Sequence, residues 1–121
     1  MTDPIPALRR GHIVSVSLDP SMGREAAKTR PAVVVSNNTA NAAAARAGGV
    51  VTIVPLTSNT ARVFEFQVLL PAGRTGLARD SKAQAEQVRT LSLFRVRDIV
   101  GWVPAELMGE LDDALRLHLA L

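Results

Sequence analysis

A chain of 121 residues, 47% hydrophobic and 21% charged, has the size and composition of one folded domain, which excludes a disordered chain. With no cysteine there is no disulfide framework, thiol nucleophile or thiolate zinc site, and two histidines make a poor metal site, so neither metal nor cofactor is expected. The net charge of +3 hides an asymmetry: residues 1–97 carry 13 basic and 6 acidic groups (+7), whereas residues 98–121 carry 1 and 5 (−4).

A basic body suits a polyanionic partner, because clustered Lys and Arg neutralise phosphates; a solvated basic surface is the plainer alternative, and charge alone does not choose. The longest uncharged runs, Pro31 to Ala45 and Ala47 to Ala61, are 15 residues each and contain Asn, Gly or Pro, so neither is read as crossing a membrane. The amino terminus lacks the apolar block of a signal peptide, and a cytoplasmic location is expected.

Residues 1–8, with Pro4 and Pro6 and no periodicity, read as a flexible arm before a single domain over 9–121. From Ile13 to Leu18, Val14, Val16 and Leu18 alternate with Ser15 and Ser17, the period of a half-buried strand that Asp19-Pro20 stops. Asp19 to Thr29 is polar and reads as a mobile loop. Ala32 to Ser36 and Val50 to Leu56 are β-branched runs suited to strands buried on both faces. Between them, Thr39 to Ala47 is an Ala-rich helix with Asn37 and Asn38 as capping candidates and Gly48-Gly49 behind it.

Phe64, Phe66, Val68 and Leu70 alternate with polar neighbours, which predicts a strand ended by Pro71 and the glycines at 73 and 76. Lys82 to Thr90 stays open between helix and strand. Val96 to Val103 reads as the last strand. Beyond Pro104, Leu107, Leu111 and Leu115 recur every four residues, predicting an amphipathic helix over 105–119. Many short strands with one closing helix indicate a mainly β chain folded as a small, partly closed barrel.

Phosphate-binding loops, dinucleotide fingerprints, His ligand pairs and nucleophile elbows are missing. His12 and His118 lie in separate elements and read as structural residues. Glu25, Asp80 and Glu86 show no pairing distance. Arg30 stands at a strand mouth beside the long loop, and Thr57 holds the matching place after Val50 to Leu56. If the two strands are neighbours in suitable register, the pair converges; spacing alone leaves two ordinary strand-end residues.

The order of segments carries more than any one of them: Arg10-Gly11, Leu18-Asp19-Pro20, Gly23 with Glu25, Thr29-Arg30-Pro31-Ala32-Val33-Val34-Val35-Ser36-Asn37, and Val54-Pro55-Leu56-Thr57-Ser58-Asn59. It continues through Phe66-Gln67-Val68-Leu69-Leu70, Gly76-Leu77, Asp80-Ser81 and Glu86-Gln87-Val88-Arg89-Thr90 to the terminal helix. This series resembles the MazF/PemK toxins of type II toxin-antitoxin systems, over residues 9 to 121.

The resemblance implies an SH3-like, CcdB-like β-barrel with short helices, a homodimer, and metal-independent cleavage of single-stranded RNA at a short sequence. It implies that Lys82 to Thr90 is a strand, that Arg30 and Thr57 are catalytic, and that Glu25 assists from the loop. Arg24, Lys28, Ser58, Gln87 and Arg89 become candidates for RNA contact, and a cognate antitoxin becomes the expected protein partner, its acidic or amphipathic tail covering the RNA groove. The chain departs from the family pattern at His12 and Val14, where an acidic residue and a tryptophan are usual, and at Arg24 and Ala26 of the loop. The same fold also serves the CcdB toxins, which bind gyrase and cleave nothing, so a non-enzymatic gyrase inhibitor is the alternative expectation.

Overall fold

The computed structural model describes residues 8–18 and 29–121. Asp19 to Lys28, most of the segment read as a loop, lie outside the described residues, and so do the first seven.

Among the described residues, seven strands and three helices follow in the order β1 (His12–Ser17), β2 (Thr29–Val34), α1 (Asn38–Ala47), β3 (Val50–Thr57), β4 (Gln67–Leu70), α2 (Ala72–Thr75), β5 (Ser81–Gln84), β6 (Arg89–Ser92), β7 (Val96–Trp102) and α3 (Ala105–Leu119). The strands pair antiparallel in the order β4-β5-β3-β2-β1-β7, with β6 joining β3 beside β5. The mainly β architecture is thus as expected, but the barrel is open: β4 and β7 lie at the two ends of the path and are not paired with each other.

Alternation along β2 and β3 explains why these uncharged runs are central. Val33, Val54 and Leu56 feed one apolar cluster with β4 and the α3 residues Leu107, Met108, Leu111 and Ala114. Ala32, Val34, Val51 and Ile53 feed a second with Leu8, Val14, Val16, Leu91 and the α1 residue Ala44. A strand that packs apolar side chains on both faces needs β-branched residues at nearly every position, as these have. Val14 is wholly buried in the second cluster, so position 14 fills the core here and offers no surface on which a base could stack.

The helices end where their sequences dictate. Asn37 Oδ1 accepts the Ala40 N–H at 2.8 Å and caps α1, while Asn38 turns aside to accept the Arg10 N–H at 2.7 Å. Helix α3 spans the expected 105–119 and buries Leu107, Met108, Leu111 and Ala114, with Leu115 partly covered.

Two expectations need correction. The strand expected from Phe64 begins only at Gln67: the Gln67 N–H donates to the Phe64 carbonyl at 2.9 Å and Gln67 Oε1 accepts the Phe64 N–H at 3.1 Å, closing a turn. The Phe64 and Phe66 rings stack beside that turn, 5.2 Å apart and within 3° of parallel, instead of alternating across a sheet. Nor is Lys82 to Thr90 one strand. It is the end of β5, a 3-10 turn over Ala85–Gln87, and the start of β6.

The cause of that second break lies in β3. The Leu93 N–H donates to the Gly49 carbonyl at 2.9 Å, and the pairing Val51 with Leu91 and Ile53 with Arg89 continues this register. Odd residues of β3 therefore turn their backbone groups toward β6, and the next, Pro55, has no N–H to give. The β6 ladder stops short of it, and β3 resumes pairing with β5 at Leu56 and Thr57.

Candidate active site

A second proline acts on the opposite edge of β3. The Val35 N–H donates to the Thr52 carbonyl at 2.9 Å, so odd residues of β2 face β3. Val33 pairs with Val54 and Ala32 with Pro55. One step on, Pro31 would have to donate to Leu56 and has no N–H, and the β2–β3 pairing ends at Ala32. Continuing the same register two positions past Ala32 and Pro55 sets Arg30 opposite Thr57. Directly opposed residues of an antiparallel pair share a face of the sheet. The strands part before that point, and what brings the two residues together is the one cleft that both line.

Where the strands part, a cleft of about 530 Å³ opens, lined by Arg30 and Pro31 of β2, Thr57 and Ser58 at the end of β3, Ser15 and Val100, and the segment from Gly76 to Arg79. Pro55 borders a second cleft of about 330 Å³, lined also by Arg30, Leu56, Leu18, Gln84, Gln87 and Arg89. Arg30 and Leu56 belong to both, so Arg30 stands where the two clefts meet.

Thr57 is half-buried, and its Oγ1 accepts the Asn59 N–H at 3.2 Å. A hydroxyl that accepts from the backbone keeps its own proton to donate, so Thr57 retains a donor in the cleft. Arg30 is exposed at the strand mouth, with its guanidinium open to an incoming anion. Arg89 Nη1 donates to the Leu18 carbonyl at 3.4 Å. Among the described residues no three His, Asp or Glu side chains come together to hold an ion.

Of the residues singled out from the sequence, Arg30, Thr57 and Ser58 share the first cleft, and Gln87, Arg89 and again Arg30 the second. Glu25, Arg24 and Lys28 lie outside the described residues. The other carboxylates have structural partners: Asp80 Oδ1 accepts the Ala72 N–H at 2.8 Å, and Glu86 Oε2 accepts from Gln67 Nε2 at 2.9 Å. His12 lies at the start of β1, edge-on to Trp102 with ring centres 5.2 Å apart, and His118 lies in the last turn of α3. Neither histidine lines either cleft. The sequence did not single out Arg79, which lines the first cleft; the one signal was its place between Gly76-Leu77 and Asp80-Ser81.

Comparison with known proteins converges on one family. The model of the PemK-like, MazF-like toxins of type II toxin-antitoxin systems matches residues 9–119. Endoribonuclease MazF9 of Mycobacterium tuberculosis is 56% identical over 115 residues, covering 94% of this chain and 98% of that protein. Endoribonuclease EndoA of Bacillus subtilis is 31% identical, covering 94% and 96%. Among solved structures, MazF from Deinococcus radiodurans superposes with a TM-score of 0.75 at 27% identity, covering 95% and 98%. A mycobacterial endoribonuclease in complex with its cognate antitoxin gives 0.70 at 25% identity, covering 97% of each chain. With the open antiparallel sheet, the terminal helix and a match over nearly the whole chain, this protein belongs to the PemK-like, MazF-like toxin family.

Proposed function

We propose that this chain is an endoribonuclease toxin that cleaves single-stranded RNA at a short sequence without a metal ion. The observation that carries the reading is one cleft lined by both Arg30 and Thr57, in a chain 56% identical to an endoribonuclease. The RNA 2′-hydroxyl attacks its adjacent phosphate in line: the O2′–P bond forms as the P–O5′ bond breaks. The products are a 2′,3′-cyclic phosphate and a 5′-hydroxyl. The proton passes overall from O2′ to O5′, and no water is consumed.

A guanidinium does not give up its proton in a protein, so Arg30 is no general base. It neutralises the charge that builds on the phosphorane, and its planar donors suit two phosphate oxygens at once. Thr57 donates its hydroxyl proton to a reacting oxygen. Glu25 is the first candidate to accept the 2′-hydroxyl proton. Ser58, Gln87 and Arg89 contact the strand on either side, Gln87 at a base edge and Arg89 at a phosphate, and Arg24 and Lys28 add phosphate contacts from the preceding segment.

The protein acts as a cytoplasmic homodimer. An edge of β7 that no described strand pairs, and that exposes Ile99, Val100 and Trp102, favours association, since such an edge is a ready site for another chain. Its protein partner is a cognate antitoxin whose acidic or amphipathic tail covers the basic clefts, in keeping with the antitoxin complex among its structural relatives.

The test is incubation with a long unfolded RNA in EDTA, followed by sequencing of the 5′-hydroxyl ends. The expected result is cleavage at one short sequence, blocked by a 2′-deoxy substitution at the cut. Intact RNA, or cleavage that survives both Arg30→Ala and Thr57→Ala, would overturn it.

A further inference from the structure

Most of the basic side chains described are already engaged. Arg10, Arg74 and Arg116 pair with Asp112, Glu106 and Asp113. Lys82, Arg89 and Arg95 donate to backbone carbonyls, and Arg62 lies over the Phe64 ring. Arg79 is different. It is exposed, its guanidinium has no carboxylate or hydrogen-bond partner among the described residues, and it lines the same cleft as Arg30 and Thr57.

The segment carrying Arg79 is held at several points. The Ala72 N–H donates to Asp80 Oδ1 at 2.8 Å, and Ser81 Oγ donates to the carbonyl of Arg79 itself at 3.2 Å. Gly76 adopts the left-handed conformation at φ +82°, and Gly101 of β7 lets the Thr75 carbonyl come so close that a Cβ on Gly101 would lie 2.3 Å from it. Arg79 is thus a cation that no counter-charge among the described residues meets, on a fixed wall of the cleft. Holding an anion costs side-chain and backbone entropy, and here the backbone part is already spent in folding.

We propose that Arg79 binds a second RNA phosphate, next to the scissile one. The strand then crosses the first cleft between Arg79 and Arg30 and runs on into the second cleft toward Gln87 and Arg89. This rests on the ribonuclease reading above and extends it to the substrate's path. Because Arg79 contacts a non-reacting phosphate, it acts on binding equally in the ground and transition states, and so on KM and not on kcat.

The experiment compares wild type with Arg79→Gln, Arg79→Lys and, as an exposed basic position outside the clefts, Arg97→Gln. Binding of an RNA oligomer carrying a 2′-deoxy residue at the cut is followed by fluorescence anisotropy across a salt series, and cleavage of its all-ribose counterpart gives kcat and KM. For Arg79→Gln the slope of log affinity against log salt should fall by about 0.7, the release of one phosphate's counterions from a single strand. KM should rise on the order of tenfold, the loss of one charged hydrogen bond, at unchanged kcat. Arg79→Lys should keep the slope and Arg97→Gln should match wild type. An unchanged slope and KM in Arg79→Gln, or a loss confined to kcat, would overturn the assignment while leaving the ribonuclease intact. A wild-type protein that neither binds nor cuts RNA would overturn both.

Discussion

Pro31 of β2 stands opposite Leu56 of β3 in the register set by Val33 and Val54, with no N–H to donate. Its missing hydrogen bond ends the β2–β3 ladder just short of Arg30 and Thr57, which stay paired with β1 and β5 respectively. The cleft is therefore a local fault in strand pairing, produced by one residue type at one position. Pro55 repeats the effect on the other edge of β3, which is why a second cleft adjoins the first.

Replacing Pro31 with alanine restores the donor. In Pro31→Ala the ladder should extend by one hydrogen bond, drawing Leu56 toward β2 and narrowing the space between Arg30 and Thr57. The variant should stay folded, losing at most about 1 kcal/mol through the freer unfolded chain, yet cleave RNA more slowly than wild type. Amide hydrogen exchange at position 31 reads the new bond directly. Exchange there as fast as in a solvated loop, with undiminished cleavage, would refute the account.

Arg30 and Thr57 should fail in different ways. Arg30→Ala removes a preorganised charge from the phosphorane and should lower kcat by about 100- to 1000-fold. Thr57→Val removes the donor at nearly constant shape, whereas Thr57→Ser keeps both the donor and the oxygen that accepts the Asn59 N–H. Single-turnover cleavage should therefore be close to wild type in the serine variant and strongly reduced in the valine variant. Equal rates in the two would remove the hydroxyl from the mechanism.

These sites were legible in the sequence unevenly, for physical reasons. Helix α3 and strand β1 carry their own periodicity, and β3 is an uncharged β-branched run, so their positions follow from local pattern. Phe64 and Phe66 also alternate, but their rings stack on each other beside a turn, an arrangement with the same spacing as a strand. Lys82 to Thr90 breaks because of Pro55, some 30 residues earlier, and no window around the segment itself contains that information. Arg30 and Thr57 were visible as strand-end residues but came together only in the cleft that opens where β2 and β3 part. Arg79 had no signal beyond its place between Gly76-Leu77 and Asp80-Ser81, since its position depends on how α2 and the following segment seat against Gly101.

That seating yields a further prediction. A Cβ at position 101 would fall 2.3 Å from the Thr75 carbonyl oxygen, a backbone atom that cannot swing away. Gly101→Ala should therefore force α2 and the segment from Gly76 to Arg79 outward, costing about 1–3 kcal/mol by overpacking and raising KM for RNA as Arg79 moves. Thermal unfolding and steady-state cleavage measure the two effects. A variant as stable as wild type would show that the contact is not as tight as the geometry requires.

The pH dependence of stability should carry a signature of His12. Its affinity for protons is lowered from the ordinary 6.5, first by partial burial and then by the Arg9 charge, and its Nδ1 accepts the Arg9 N–H at 2.9 Å. The unfolded chain thus binds this proton more readily than the folded one. Stability from His12 is fully present above 6.5 and is lost as the pH falls through that value, until the folded state also takes up the proton. His12→Gln removes the titration, so wild type should lose stability relative to the variant on acidification through this range. Denaturant unfolding of both proteins at a series of pH values isolates the effect, because the carboxylates common to both cancel in the difference. Parallel curves would show that His12 binds its proton equally in the folded protein and the unfolded chain, and a wild type that gains on the variant as pH falls would show that the folded protein holds it more tightly; either overturns the account.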